Sequence, residues 1–331
     1  MSKAQPTRSQ EPIRPLFLLS QMRSGSTVVQ RVLASHTRVA TAAEPWLLLP
    51  LTYMRRKAGA RAEYWHVATA EAIDDFCWAA LPGRDDDWQE GLRTFVLDLY
   101  RKAAGADATY FLDKTPHYHF IASDIQRLFP EAKLVFLWRN PLAVIASSLE
   151  TFRGGRFEPY LFKPDALDAI GHLVDAREAA GDRAHAVRYE DLFGPDGEQY
   201  WRSLFTYLEL DWEPGVLTDF SGVQLQGRYG DPVGRHLYQS LSSEPLEKWK
   251  KTFSGAVRRR WAKHALRRIG AGRLHAMGYD PRELQGALDE LRDGGHRADR
   301  DAALLALSAV RYLLRSRTLR LDETPPPIPR A

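Results

Sequence analysis

Short apolar runs alternate with helix-like stretches along the first half of the chain. The first run, residues 16–19, is followed by a polar turn and then by apolar residues at helical spacing over residues 28–33. Two further runs, residues 110–112 and 133–138, are also short and are also followed by helix-like stretches. Because strands that are buried on both faces are continuously apolar, this alternation predicts a central parallel β-sheet.

The polar turn after the first run has the composition of an anion-binding loop. Gly25 lets the backbone approach a ligand closely, and Arg23 supplies a charged fork that suits phosphate or sulfate. The hydroxyl groups of Ser24, Ser26 and Thr27 add further hydrogen-bond donors. A helix that begins directly after a strand also aims its backbone N–H groups and its dipole at an anion. We therefore expect an anionic group to bind in this loop.

The same turn departs from the P-loop of nucleoside triphosphate-binding proteins. That loop has the pattern G-x-x-x-x-G-K-[ST], whereas here Ser20 replaces the first glycine and Ser26 replaces the lysine. The pattern therefore indicates no Mg²⁺ site and disfavours a nucleotide kinase, which Mg²⁺-dependent ATP turnover would establish. On this stretch alone, a strand–helix turn without a ligand is the alternative.

Charged or polar side chains also follow the later predicted strands. Glu44 follows a short predicted strand at residues 39–41. Lys114 follows the apolar run at 110–112, and Arg139 follows the run at 133–138. Ser147 lies two turns into the helix after Arg139. Because the carboxyl ends of parallel strands line one crevice, we expect these side chains to face the ligand of the loop. Ordinary surface or packing roles are the alternative at each position.

Composition narrows the functional classes. The 331 residues are 44% hydrophobic, which suffices for one large α/β domain or two smaller ones. A net charge of +4 with dispersed arginines fits a small polyanion, and no basic–aromatic motif predicts nucleic-acid binding. Cys77 is the single cysteine, which excludes an intrachain disulfide and a cysteine-based metal site. We find neither a signal-peptide pattern nor a membrane-spanning run, and therefore expect a cytoplasmic protein.

Four segments, in this order, resemble the motifs of sulfotransferases that use 3′-phosphoadenosine 5′-phosphosulfate (PAPS). Residues 23–27, RSGST, resemble the 5′-phosphosulfate loop, and residues 113–116, DKTP, resemble the lysine-bearing strand end. Residues 139–148, RNPLAVIASS, resemble the 3′-phosphate site, in which an arginine and a serine eight positions apart hold the phosphate. Residues 187–192, VRYEDL, resemble the strand and turn after the central helices. The RSGST form is closest to the Golgi-type and bacterial branches, which include tyrosylprotein- and glycan-sulfotransferase-like members.

This resemblance implies a fold and a donor site. The implied fold is a three-layer, P-loop-like α/β domain around a parallel sheet, with the donor at the carboxyl ends of the strands. PAPS is the implied donor, adenosine 3′,5′-bisphosphate is the product, and no metal is required. The loop from Arg23 to Thr27 would bind the phosphosulfate, Arg139 and Ser147 the 3′-phosphate, and Tyr189 another part of the donor.

The resemblance also offers two candidates for the general base. Glu44 matches the catalytic glutamate of tyrosylprotein-sulfotransferase-like members. His117 lies close to the catalytic histidine of cytosolic members but is offset by one residue through Pro116. Burial of His117 next to Lys114 would keep its imidazole neutral and usable as a base. We favour Glu44, with Lys114 neutralising the leaving group and Arg23 completing the catalytic set.

The acceptor is expected to be a hydroxyl group on a saccharide, polysaccharide or glycolipid. This expectation rests on the DKTP and FLWRNP segments, which look similar to those of bacterial members associated with glycans. A tyrosine or a small phenol is the alternative acceptor. A protein that binds adenosine 3′,5′-bisphosphate without moving sulfate is the non-enzymatic alternative.

The boundaries and the C-terminal part complete the prediction. A late segment, residues 244–249, resembles the family segment that closes over the donor, and Arg228, Arg235 or a nearby serine is expected to reach the donor. Residues 299–320 combine a broad apolar face with late arginines, and we expect this helix to dock on its own chain. Peripheral contact with an anionic membrane is the alternative. The predicted regions are a disordered start at 1–14, a sulfotransferase domain at 15–279, a helical C-terminal extension at 280–321 and a disordered proline-rich tail at 322–331.

Overall fold

Five parallel strands form the centre of our computed structural model, which describes residues 12–227 and 244–321. The spatial order of the strands is β2-β3-β1-β4-β5, so that β1 lies in the middle. The predicted parallel sheet is thereby confirmed. The strands are β1 (Arg14–Ser20), β2 (Val39–Thr41), β3 (Tyr110–Asp113), β4 (Lys133–Trp138) and β5 (Ala184–Arg188).

Helices flank the sheet, and further helices form the C-terminal part of the chain. A helix begins shortly after β1 and shortly after β4, as the alternating pattern predicted. In chain order the α-helices are α1 (Ser26–Ala34), α2 (Leu48–Tyr53), α3 (His66–Ala80), α4 (Asp85–Ala104), α5 (Ala122–Leu128), α6 (Pro141–Arg153), α7 (Ala169–Ala180), α8 (Tyr189–Leu192), α9 (Gly197–Tyr207), α10 (Lys248–Thr252), α11 (Ala256–Ile269), α12 (Ala271–Ala276), α13 (Pro281–Asp289) and α14 (Ala298–Leu321).

Alternate residues of β1 face opposite sides of the sheet and enter two different cores. Phe17 and Leu19 belong to a core that also contains residues of α6, α7 and α11. Leu16 and Leu18 belong to a second core with residues of α1 and α9. Each fully buried side chain of this size stabilises the fold by roughly 1.5–3 kcal/mol. Helices on both faces of the sheet give the three layers that the sequence predicted.

The register of the sheet brings the predicted site segments to one edge. Ser20 at the end of β1 pairs with Leu137 near the end of β4, and Phe17 pairs with Asp113 at the end of β3. Because the strands are parallel, the segments that follow them leave the sheet on the same side. These are the anion loop, the DKTP strand end and the segment that begins at Arg139.

The C-terminal extension docks through polar anchors. In α14, the Asp301 carboxylate accepts hydrogen bonds from Nε and Nη2 of Arg258 at 2.6 and 2.9 Å, and both side chains are buried. Ser308 is fully buried on the same helix, and Leu305 is half-buried. The two helices predicted in this extension are therefore present as α13 and α14.

The later part of the apolar face of α14 does not dock on the chain. Docking through that face was predicted and is wrong for its later part, because the buried ion pair and Ser308 fix a different side of the helix toward the chain. Within the described ranges, no helix has the length and apolarity that a membrane span requires. The exposed members of the face are Leu307, Val310, Leu313 and Leu314, at 40–59% exposure.

The ends of the chain fall largely outside the described residues. Residues 1–11 of the predicted disordered start and all of the tail at 322–331 lie outside them. β1 begins at Arg14, one residue before the predicted start of the domain.

Candidate active site

Gly25 shapes the loop between β1 and α1. Its φ of 89° is in the left-handed region, which glycine adopts without steric cost. A Cβ atom added at Gly25 would lie 2.2 Å from Cε2 of Tyr189, so that the ring covers the glycine closely. Two independent constraints, the backbone angle and the contact with Tyr189, therefore require glycine at this position.

Arg23 and Ser24 are two polar residues of this loop with features that suit an anionic ligand. Arg23 has a φ of 64°, a strained value for a residue other than glycine and one that is frequent at functional sites. Its Nε donates to Oγ of Ser147 at 3.3 Å. The Ser24 hydroxyl is buried and has no hydrogen-bond partner in the described part of the chain. An unsatisfied buried donor in such a loop fits an anionic ligand.

Arg139 lies against the same loop. Its guanidinium is 4.3 Å from the centre of the Tyr189 ring, and its Nη1 donates to the carbonyl of Arg23 at 3.1 Å. Its Nη2 donates to the carbonyl of Pro245 at 3.2 Å, while its buried Nε has no partner among the described residues. The two predicted anion sites, around Gly25 and around Arg139 and Ser147, are therefore adjacent.

Arg139 lies in the turn between β4 and α6, directly before the N-cap of α6. The side chain of Asn140 accepts a hydrogen bond from the N–H of Leu142 at 2.9 Å and thereby caps α6. Pro141 occupies the first helical position, where its fixed φ is suitable.

The late segment, residues 244–249, reaches this site through Pro245, whereas Arg228 and Arg235 lie outside the described residues.

A buried ion pair joins the DKTP segment to the segment after β2. Nζ of Lys114 donates to Oε1 of Glu44 at 2.6 Å, and the two side chains are 2% and 9% exposed. The same ammonium donates to Oγ1 of Thr27 in the anion loop at 3.4 Å. Lys114 therefore meets the anionic partner that its burial requires, and it connects Glu44 to the loop.

Gln30 holds the Glu44 segment from α1. Its fully buried Nε2 donates to Oγ1 of Thr41 at 2.8 Å and to the carbonyls of Ala42 and Ala43 at 2.7 and 3.1 Å. This side chain was not predicted as a site residue. A buried glutamine on the apolar face of α1 is the signal that could have identified it.

The sequence that builds this site matches the model of a known protein family. The model of the sulfotransferase family matches residues 15–214, which include the anion loop, the Lys114–Glu44 pair and Arg139. The chain belongs to the sulfotransferase family.

Individual relatives of this sulfotransferase-family protein are distant. The nodulation protein NoeE of Sinorhizobium fredii is 33% identical over 53% of the chain, and the match spans only 40% of the length of NoeE. Protein-tyrosine sulfotransferase 1 of Danio rerio is 24% identical over 80% of the chain and 72% of its own length. The sulfotransferase domain from the curacin biosynthetic pathway has a TM-score of 0.51 at 22% identity, over 73% of the chain and 92% of the domain, which concerns the fold alone.

His117, the second candidate base, contacts Trp46, which also contacts Glu44. The Trp46 indole makes a long hydrogen bond of 3.4 Å to Oε2 of Glu44, and its ring lies 4.8 Å from the His117 ring. Nε2 of His117 lies 3.1 Å from Oδ1 of Asp165. The His117 side chain is one-third exposed, so the expected burial beside Lys114 is not observed; the Asp165 carboxylate instead holds the imidazole at the rim.

Asp165 is a further residue that the sequence did not single out. Burial alone would raise the pKa of Asp165, but hydrogen bonds from His117 and His119 outweigh it and hold this pKa well below its ordinary value. Burial also lowers the pKa of His119. Asp165 therefore stays ionised at the base of an aromatic and imidazole wall formed by Trp46, His117 and Phe120.

Metal ligands do not converge in the part of the chain that the structure describes. Among those residues, no group of three or more histidine, cysteine, aspartate or glutamate side chains is placed to hold a metal ion. The groups around the anion loop are mainly hydrogen-bond donors and cations, and the carboxylate of Glu44 is in contact with Lys114.

Proposed function

We propose that the protein transfers a sulfuryl group from PAPS to a hydroxyl group of a saccharide, polysaccharide or glycolipid. One observation carries this proposal. The Lys114–Glu44 pair contacts Thr27 in the anion loop, at the strand edge where Arg139 lies against the same loop. A candidate base, a cation and two adjacent anion sites thus meet in one crevice.

The residues of the crevice suit the two anionic groups of PAPS. The loop around Gly25 offers backbone N–H groups, the Arg23 fork and the Ser24 hydroxyl, and it would hold the 5′-phosphosulfate. Arg139, whose buried Nε–H has no partner within residues 12–227 and 244–321, would hold the 3′-phosphate together with Ser147. PAPS, when bound, supplies an activated sulfuryl group. The complete set proposed for the donor is Arg23, Ser24, Gly25, Ser26, Thr27, Arg139, Ser147 and Tyr189.

Glu44 is the proposed general base. It takes the proton of the acceptor hydroxyl while the new O–S bond forms and the bond from sulfur to the phosphate oxygen breaks. Lys114, between Glu44 and Thr27, neutralises the charge that develops on the leaving oxygen. Because the sulfuryl group carries little charge compared with a phosphoryl group, fixed protein donors can stabilise this transition state by position and charge.

The wall beside Glu44 supports a saccharide acceptor. The rings of Trp46 and His117 lie 4.8 Å apart, and Asp165 adds an ionised carboxylate beside His117. A sugar ring offers an apolar C–H face for stacking and hydroxyl groups for such a carboxylate. The similarity to a protein-tyrosine sulfotransferase over 80% of the chain favours tyrosine as the second candidate acceptor. Labelled PAPS incubated with oligosaccharides, a glycolipid, tyrosine peptides and phenols would distinguish these acceptor classes.

Adenosine 3′,5′-bisphosphate is expected to raise the melting temperature without added metal, because a ligand of the native state stabilises it by mass action. Arg139→Ala should weaken its binding by about 1.5–3 kcal/mol, the scale of a charged hydrogen bond, as measured by calorimetry. Arg127→Ala, which removes a mostly exposed arginine of α5, is the control and should leave affinity unchanged. Equal stabilisation by ADP, or an unchanged affinity of Arg139→Ala, would contradict the 3′-phosphate site.

We further propose that α14 lets the protein contact anionic membranes peripherally. Leu307 and Val310 are 40% and 53% exposed, and the sequence of the same helix carries arginines at 315, 317 and 320. Arg311 is paired with Glu158 of the chain itself. The protein should sediment with vesicles of mixed neutral and anionic phospholipid but not with neutral vesicles. Leu307→Ser/Val310→Ser should abolish this binding. Equal binding to neutral vesicles would contradict the proposal, as would a dimer that the same double variant dissociates.

A further inference from the structure

Asp113, the last residue of β3, is a fully buried carboxylate surrounded by hydroxyl groups. The hydroxyls of Tyr100 and Tyr118 donate to its Oδ2 at 2.6 and 2.8 Å, and Thr115 donates to Oδ1 at 3.3 Å. Burial raises the pKa of Asp113 to about 6, although these hydrogen bonds and Lys114 act in the opposite direction. None of the steps proposed above uses this carboxylate.

Two of the three hydroxyl groups also hold the segment that carries Glu44. The Tyr118 oxygen accepts the N–H of Leu48 at 3.3 Å, and the Thr115 oxygen accepts the N–H of Trp46 at 3.3 Å. Because each hydroxyl hydrogen points to Asp113, the oxygen lone pairs are free to accept these backbone donors. The carboxylate thereby fixes the orientation of both contacts.

Trp46 has a backbone that needs such support. Its φ of 55° is in the left-handed region, and a residue other than glycine stays there only when its surroundings hold it. The hydrogen bond from its N–H to Thr115 is one of these restraints. Glu44 is two residues before Trp46, and Lys114 directly follows Asp113. The network therefore includes residues close in sequence to each partner of the ion pair.

We propose that Asp113 is a positioning residue that sets the placement of Glu44 relative to Lys114 by orienting Thr115 and Tyr118. This inference rests on the proposed sulfuryl transfer, in which Glu44 and Lys114 act together. Misplacement of a catalytic group by about 1 Å can cost on the order of 10²-fold in rate, so a network of this kind controls turnover without touching the substrate.

Tyr118→Phe and Tyr100→Phe form a matched pair for the test. Each removes one hydroxyl from the same oxygen of Asp113, but only Tyr118 also accepts a backbone N–H of the Glu44 segment. Both variants should lower the melting temperature, Tyr118→Phe by more, because it also leaves the N–H of Leu48 without its acceptor. Tyr118→Phe should lower kcat by about tenfold or more with an unchanged KM for PAPS, whereas Tyr100→Phe should stay within about twofold of the wild type.

Thr115 provides a second pair in case Tyr118→Phe fails to fold. Thr115→Val removes the hydroxyl and should lower kcat, whereas Thr115→Ser keeps the hydroxyl and should restore it. Equal losses of kcat in Tyr118→Phe and Tyr100→Phe, or no difference between Thr115→Val and Thr115→Ser, would show that the network is structural only and would overturn the proposal.

Amide hydrogen exchange separates this inference from the proposed function. The N–H groups of Trp46 and Leu48 should exchange faster in Tyr118→Phe than in Tyr100→Phe, whether or not the correct acceptor is known. If the wild type moves no sulfate to any acceptor while this contrast holds, the proposed reaction fails and the positioning of the segment stands. If the exchange rates do not differ, the positioning role fails even in an active enzyme.

Discussion

Replacing Glu44 with glutamine is expected to lower sulfuryl-transfer turnover by about 10²-fold or more, the scale of a lost general base. The amide keeps the shape of the side chain, and its oxygen still accepts a hydrogen bond from Lys114, but it cannot take a proton from the acceptor. Binding of adenosine 3′,5′-bisphosphate should therefore stay near normal. Steady-state turnover of labelled PAPS and calorimetry of the product nucleotide measure the two effects separately.

His117→Ala is the informative comparison for Glu44→Gln. Glu44 is connected to the anion loop through Lys114, whereas His117 contacts Trp46 and Asp165. We therefore expect His117→Ala to raise KM for the acceptor more than it lowers kcat. If His117→Ala abolishes turnover with donor binding intact while Glu44→Gln retains most of it, the histidine is the base and our assignment is wrong.

The parts of the site that depend on strand ends were predictable from the sequence. Continuous apolar runs identified β1, β3 and β4, and parallel strands leave their carboxyl ends at one edge. The loop after β1, Lys114 after β3 and Arg139 after β4 are therefore close together, and each is recognisable from its position directly after a strand. Their proposed roles still await the experiments described above.

The contacts that orient these groups were not predictable in the same way. Gln30 reaches the Glu44 segment from α1, and Asp165 contacts His117 from the π-helical segment Pro164–Asp168. Such pairs join distant parts of the chain through single side chains and leave no periodic pattern. The docked face of α14 was missed for the same reason, because its anchor is the ion pair of Asp301 with Arg258, 43 residues away.

Lys114→Met is expected to give the largest loss of stability, together with the loss of activity. The substitution nearly keeps the length of the side chain but leaves the buried Glu44 carboxylate without its cation. Removing one partner of a buried ion pair typically costs about 3–5 kcal/mol, and denaturant unfolding would measure this cost.

The double variant Glu44→Gln/Lys114→Met separates the structural and the catalytic roles of the pair. With the carboxylate neutralised, no unpaired charge remains, so the double variant should recover most of the stability that Lys114→Met loses. It should recover none of the turnover, because both the proposed base and the cation at the leaving oxygen are gone. If Lys114→Met unfolds at the same midpoint denaturant concentration as the wild type, the ion pair contributes little to the free energy of unfolding. Full turnover in the double variant would remove both residues from the reaction.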